Sequence, residues 1–137
     1  MPNWRDELND AVKTKNEREA EEAAKHRQRV QEALASAQGA LTLAIDALKF
    51  AAERIAEKGQ PAKLGELESG ARLDLGALSI VLELDRQTAV IKVTFLEGKP
   101  REFDFARDRH IAAADVEEYV GRRTVELVRN AQKAQPW

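Results

Sequence analysis

The sequence predicts an α+β fold: a long N-terminal α-helix, an antiparallel β-meander of three or four strands, and a C-terminal α-helix packed on the sheet. Two observations carry this. Apolar side chains recur at helical spacing up to Lys58 and again after Ala114, whereas between them they alternate at period two. Glycine and proline mark the boundaries, as in Lys58-Gly59-Gln60-Pro61 and Glu97-Gly98-Lys99-Pro100. At 137 residues the chain has the size of one domain. Residues 1–29 read as a charged, projecting helical segment. Residues 30–137 read as a single α+β domain, with a helix at 30–58, strands within 71–106 and a helix at 114–133.

Residues 1–58 hold only Pro2 and Gly39 as helix-unfriendly types and are dense in Ala, Glu, Lys, Arg, Gln and Leu. Asn3 can cap the first amides, with Asp6 and Glu7 against the positive end of the macrodipole. Lys58, Gly59 and Pro61 form the stop. Inside this zone, Trp4, Leu8 and Val12 make a short apolar stripe at i, i+4, i+8. From Lys13 to Arg29, ten of seventeen residues are charged and the apolar side chains are alanines alone, so nothing there can build a core. Val30, Leu34, Ala37, Leu41, Ala44, Leu48, Ala51 and Ile55 then follow at alternating spacings of 4 and 3, an unbroken heptad stripe. Its alanines favour close approach of a neighbouring helix or sheet.

A straight helix over residues 3–58 would be about 80 Å long at about 1.5 Å per residue, against a radius of gyration of about 14 Å for a compact chain of this size. Either the helix breaks, with Gly39 the cheapest place at about 1 kcal/mol, or its first third projects and is covered by another chain. The segment 13–29 has no Gly or Pro with which to form a hairpin.

Ile80, Leu82 and Leu84 share one face of a strand; Ala89, Ile91, Val93 and Phe95 share a face of the next; Phe103 and Phe105 close the meander. Gly98-Lys99 fits a II′ hairpin turn, which takes Gly first. Residues 72–75, set off by Gly76, offer a further strand, and Leu64 and Leu67 lie in a connector. Asp115 followed by Glu118 reads as an acidic capping box for the last helix, whose buried stripe is Val116, Tyr119, Val120, Leu127, Val128 and Ala131.

Several chemistries are excluded or unsupported. With no cysteine, the chain has no disulfides, thiolate metal sites or cysteine nucleophile, which fits a cytoplasmic protein. The opening MPNWRDELND has acids where a secretory signal is basic. The longest uncharged run, residues 33–45, has thirteen residues, short of the roughly 20 a membrane span needs, so no membrane partner is expected. Ser36, Ser69 and Ser79 lie in no nucleophile motif. Glu22 with His26 and Asp108 with His110 each offer two metal ligands where three or four are needed. The pairs Glu83/Asp85 and Glu102/Asp104 alternate with apolar neighbours and so face solvent. No glycine-rich phosphate loop is present. No cofactor or metal is expected.

Net charge is −2, and the sequence pI of about 5.8 is far below the value above about 9 usual for phosphate-backbone binders. Basic residues nevertheless cluster at Lys25-His26-Arg27-x-Arg29 and across Arg101, Arg107, Arg109, Arg122, Arg123, Arg129 and Lys133. The order helix, meander, helix, with VIKVTF in a strand and REFDF closing the meander, is similar in layout over residues 30–133 to the small bacterial YbaB/EbfC nucleoid-associated proteins. That resemblance implies a dimer associated with DNA and assigns no site residues.

The expected function is a non-catalytic intracellular adaptor or scaffold, a homodimer with a protein partner, self-associating through Val30, Leu34, Ala37, Leu41, Ala44, Leu48, Ala51 and Ile55. The same spacing suits a helix lying on its own sheet. Trp4, Leu8, Val12 and Trp137 are the candidate partner-docking residues. A bacterial nucleic-acid-associated protein is the alternative. A small-ligand protein, with a cavity lined by Phe95, Phe103, Phe105 and Tyr119, is the third reading.

Overall fold

The computed structural model describes residues 3–137. Helix α1 (Trp4–Ala11) and helix α2 (Lys15–Glu57) precede five strands, β1 (Ala62–Leu67), β2 (Gly70–Leu75), β3 (Leu78–Asp85), β4 (Val90–Phe95) and β5 (Arg101–Asp104), and helix α3 (Ala113–Ala134) closes the chain. The strands pair in sequence order as one antiparallel sheet. Both α2 and α3 lie on one face of it and pack most extensively against each other. The fold is α+β, as the periodicities predict.

The sheet has five strands rather than three or four. The added strand is β1, in the stretch read as a connector, where Leu64 pairs with Leu73 and Ala62 with Leu75. Its second face is Lys63, Gly65 and Leu67, so alternation is faint, and tertiary pairing rather than local pattern makes it a strand. Register aligns Leu73 with Ile80, Leu82 with Val93, and Ile91 with both Leu84 and Phe103. These side chains build the sheet side of the core. The other face carries Arg72, Asp74, Glu83, Lys92 and Glu102, the one-sided burial usual for antiparallel sheets.

Helix α2 runs unbroken through Gly39 for 43 residues, about 65 Å at about 1.5 Å per residue. The interruption falls at Val12–Thr14 instead. The Thr14 hydroxyl accepts from the Glu17 amide at 3.2 Å and restarts the helix. Asn3 caps α1 in the same way, accepting from the Arg5 and Asp6 amides, both at 3.0 Å. An N-cap bond to an orphan amide is enough to divide a helix without glycine or proline. Residues 15–29 are exposed on every face, so this part of α2 projects from the domain.

The end of α2 follows its signal. Gly59, at φ 75, lets its own amide reach Ala56 O and the Gln60 amide reach Ile55 O, a Schellman cap. Two turns differ from expectation. Past β4 the left-handed residue is Leu96, at φ 58, and Gly98 is not at positive φ, so the II′ turn does not form. Helix α3 starts earlier than its acidic pattern indicates. Asp115 occupies its third position, and its carboxylate accepts from the Ala112 amide at 2.8 Å. Ala112 has no acceptor to return the bond, so half of a capping box is present. Of the described residues, no helix is long and apolar enough to cross a membrane.

Candidate interaction surface

The heptad stripe is occupied within the chain. Val30, Ala37, Leu41, Ala44, Leu48 and Ile55 are buried, and Leu34 and Ala51 are half-buried against the same core. Their partners are the sheet and Val116, Val120 and Leu127 of α3. Six of the eight side chains are thus covered within the chain, and Leu34 and Ala51 keep partial exposure. The reason is spacing: a helix on its own sheet and partner helix needs the same periodicity as a coiled-coil seam. Ala37, Ala40 and Ala44 have no exposed surface, the close approach their small side chains permit. Thr124 is the buried polar residue of the core, and its hydroxyl donates to Val120 O at 2.8 Å.

The side of the helix pair away from the sheet carries the apolar surface. Leu43 and Phe50 of α2, Val125 of α3 and the terminal Trp137 are between 40% and 66% exposed. They line one recess of about 710 Å³ between the helices, floored by Ala47, Ala51, Gly121 and Val128. The positions follow from helix geometry. Leu43 and Phe50 are seven apart, hence on one line of α2, rotated away from the Leu41–Leu48 line that enters the core. Around the rim stand Arg54, Lys58 and Arg129, with Asp46 and Glu117. Arg54 is paired with Glu57 at 2.8 Å. Lys58 and Arg129 have no carboxylate within ion-pair distance among the described residues.

Of the docking candidates, Trp137 belongs to this recess, while Trp4 and Leu8 on α1 and Val12 at its C-cap are exposed apart from it. Phe50, Leu43 and Val125 are the residues that sequence reasoning missed. Each stands beside the stripe by one helical step, and only the placement of α3 decides which line of α2 is covered. The bend that sets the direction of α1 is held by ion pairs. Lys13 Nζ lies 2.8 Å from Glu21 and 3.5 Å from Asp10, and Arg18 donates to Asp10 O at 2.8 Å. The hydrogen bond from Lys13 pulls the Glu21 carboxyl below its usual value, and the same bond raises Lys13 above its own.

The remaining candidates are dispersed or committed elsewhere. Phe103 and Phe105 are core residues. Phe95 and Tyr119 pack against that core, with Phe103 and Tyr119 edge to face at 5.6 Å. Arg123 lies over both Phe95 and Tyr119, and Arg101 over Phe103. Of the four aromatics in the third reading, Phe103 and Tyr119 line a recess of about 590 Å³ together with Arg101, Glu102, Asp104 and Asp108, and Phe95 and Phe105 do not line it. Asp85 accepts from the Gln87 amide, and Asp104 from the amides of Ala106 and Arg107, so both carboxylates close turns. Glu22 is exposed on the projecting part of α2. The two histidines, distant in sequence, border the same recess. His26 and Arg29 line a recess of about 570 Å³ with Arg107, Asp108, Arg109 and His110. No group of three or more metal-ligating side chains occurs among the described residues.

No protein-family model, no curated protein and no solved structure matches the chain. The likeness to nucleoid-associated proteins is one of element order alone.

Proposed function

We propose that this protein is a non-catalytic interaction module that self-associates, with the recess between α2 and α3 as its contact surface. One observation carries the reading. Leu43, Phe50, Val125 and Trp137, from three separate stretches of chain, are exposed at one place, over a floor of small residues that admits a partner's side chains. A contiguous apolar patch with a charged rim is the usual anatomy of a protein contact. The route differs from the heptad expectation, since it uses the opposite side of the same helix.

Light scattering after size-exclusion chromatography tests this at two protein concentrations. Twice the chain mass is expected, falling to the chain mass in Phe50→Asp and Val125→Asp with the circular dichroism unchanged. A wild-type monomer at both concentrations overturns self-association.

A second reading has its own observation. The recess of His26, Arg29, Arg107, Asp108, Arg109 and His110 brings members of both basic clusters around one concavity, and its cations outnumber its one carboxylate, which favours a phosphate group. Under that reading DNA binding falls steeply with salt. Binding that is absent at low salt removes it.

A further inference from the structure

From two adjoining recesses, one cationic and one lined in part by apolar side chains, we infer that this protein binds a phosphate monoester of a small organic molecule between α2 and the 105–112 segment that leads into α3. The inference rests on the reading of the cationic recess as a phosphate site and names its ligand.

The cationic recess, of about 570 Å³, sets Arg29, Arg107 and Arg109 against one carboxylate, Asp108. Arg107 is already engaged, 3.6 Å from Asp104. Arg29 and Arg109 have no carboxylate within ion-pair distance among the described residues. These two guanidinium groups come from different elements, and each presents a planar fork of donors that matches phosphate oxygens. His26 and His110 add an imidazole from each element, and an imidazole has a ring N–H to donate. The loop that carries Arg109 is closed by its own carboxylates. Asp104 accepts from the amides of Ala106 and Arg107, and Asp108 from the amide of His110. Arg109 therefore stands on an ordered backbone, which lowers the cost of binding.

The second recess, of about 280 Å³, shares Arg29, Ala106, Asp108 and Arg109 with the first. Its other lining differs in kind. Phe105 is buried and Ala33 and Ile111 are half-buried, with Glu32 and Ser36 beside them. A phosphate group alone leaves this space unused. A phosphate joined to an apolar or ring-shaped body occupies both recesses, and apolar lining with a few convergent polar groups is the usual make-up of a small-molecule site.

The surrounding charge favours one isolated phosphate over a nucleic-acid backbone. Duplex DNA carries one charge per about 1.7 Å of its length, so a face that binds it needs cations spread along a track. Toward β5 and α3, Asp108 and His110 also border a recess whose lining includes Glu102, Asp104, Asp115 and Glu118. Toward the second recess, Glu32 stands with Arg29 and Arg109. The positive charge is thus a spot bounded by carboxylates, in a chain of net charge −2. The next phosphate along a backbone would approach those carboxylates, and a monoester has none to place there.

Nuclear magnetic resonance titration of the isotope-labelled protein at low salt tests this, with phenyl phosphate, inorganic phosphate and a random-sequence DNA duplex as probes. Phenyl phosphate is expected to shift the amides of residues 26–36 and 105–111 saturably. It is expected to bind about threefold or more tightly than inorganic phosphate, through the apolar area its ring covers. Arg29→Gln/Arg109→Gln, which alters two exposed side chains without ion-pair partners among the described residues, is expected to weaken phenyl phosphate about tenfold or more, with the rest of the spectrum unchanged. Arg72→Gln, on the other face of the sheet, is expected to bind like the wild type. Phenyl phosphate that shifts no amide in these segments, or binds equally well to Arg29→Gln/Arg109→Gln, overturns the inference. So does equal affinity for inorganic phosphate, the mark of an anion site with no place for an organic body. Duplex binding without phenyl phosphate binding also overturns it and leaves the nucleic-acid reading of the recess standing. Phenyl phosphate binding without duplex binding supports the inference and removes that reading.

Discussion

A side chain at Gly70 would overlap the carbonyl oxygen of Leu82 in the neighbouring strand, a backbone atom with no freedom to yield. Here β2 leaves its turn and pairs at once with Glu83, while the Leu84 amide reaches back to Ser69 O at 2.7 Å. Gly70→Ala is therefore expected to destabilise the domain by about 3 kcal/mol or more, read as a lower midpoint in urea. Leu41 and Leu48 invite a different experiment from the one their heptad spacing suggests. Both are buried against the sheet and α3. Each aspartate introduced there would be an unpaired buried charge. Leu41→Asp/Leu48→Asp is expected to unfold the domain rather than yield a folded monomer, with loss of the circular dichroism signal. A folded variant would show that the stripe is not the core.

Elements were legible in the sequence where local signals and tertiary contacts agree. The stop at Gly59 is one case, since a left-handed position after a cation and before a proline leaves few alternatives. The core strands β3 and β4 are another, because their period-two runs are buried on one face. Elements whose signals are short or tertiary were not legible. Strand β1 has one strong inward residue, Leu64, and exists because β2 pairs with it. The break before Thr14 was written in Thr14-x-x-Glu17, a capping pattern hidden in a charged run that favours helix on both sides. That bend has a pH signature. Glu21 is held below its usual value of 4.5, so its contribution is present above that value and is lost as pH falls through the lowered one. Lys13 is held above its usual 10.5, so its contribution is complete below 10.5 and is lost as pH rises through the raised value. The bend is expected to be pinned between those limits. Spin labels on cysteines replacing Glu7 and Ala24, both exposed, are expected to give a narrow distance distribution at pH 7. The distribution should broaden once the pH falls through the lowered value of Glu21, and Glu21→Gln should broaden it at pH 7 as well. An unchanged distribution in Glu21→Gln would leave the bend to the Thr14 cap, the Lys13–Asp10 pair and the Arg18 contact.

The molecule as a whole combines a domain that covers its own core with two exposed apolar surfaces, the α1 stripe and the recess between α2 and α3. Sequence periodicity identified the core line of α2, but which side of the helix pair stays bare depends on where α3 lands. The candidate surface was thus half legible, with Trp137 and the α1 stripe named in advance and Leu43, Phe50 and Val125 not. Two glycines separate the requirements of the domain from those of the proposed self-association. Gly39 and Gly121 both sit inside helices, and a methyl group at either would meet nothing within 4 Å. As replacements of glycine in a helix interior, Gly39→Ala and Gly121→Ala are each expected to stabilise the fold by up to about 1 kcal/mol. Their effects on association should part. Gly121 floors the recess and Gly39 does not line it. The methyl group at residue 121 would occupy space that an inserted side chain needs, because contacts packed to protein density have no room for it. Gly121→Ala is therefore expected to weaken dimerisation about tenfold or more while raising the urea midpoint, and Gly39→Ala to raise the midpoint alone. Sedimentation equilibrium on the two variants, set beside their unfolding curves, makes the comparison. If both dimerise like the wild type, the floor of the recess is not in contact with a partner, and the self-association surface lies elsewhere on the chain.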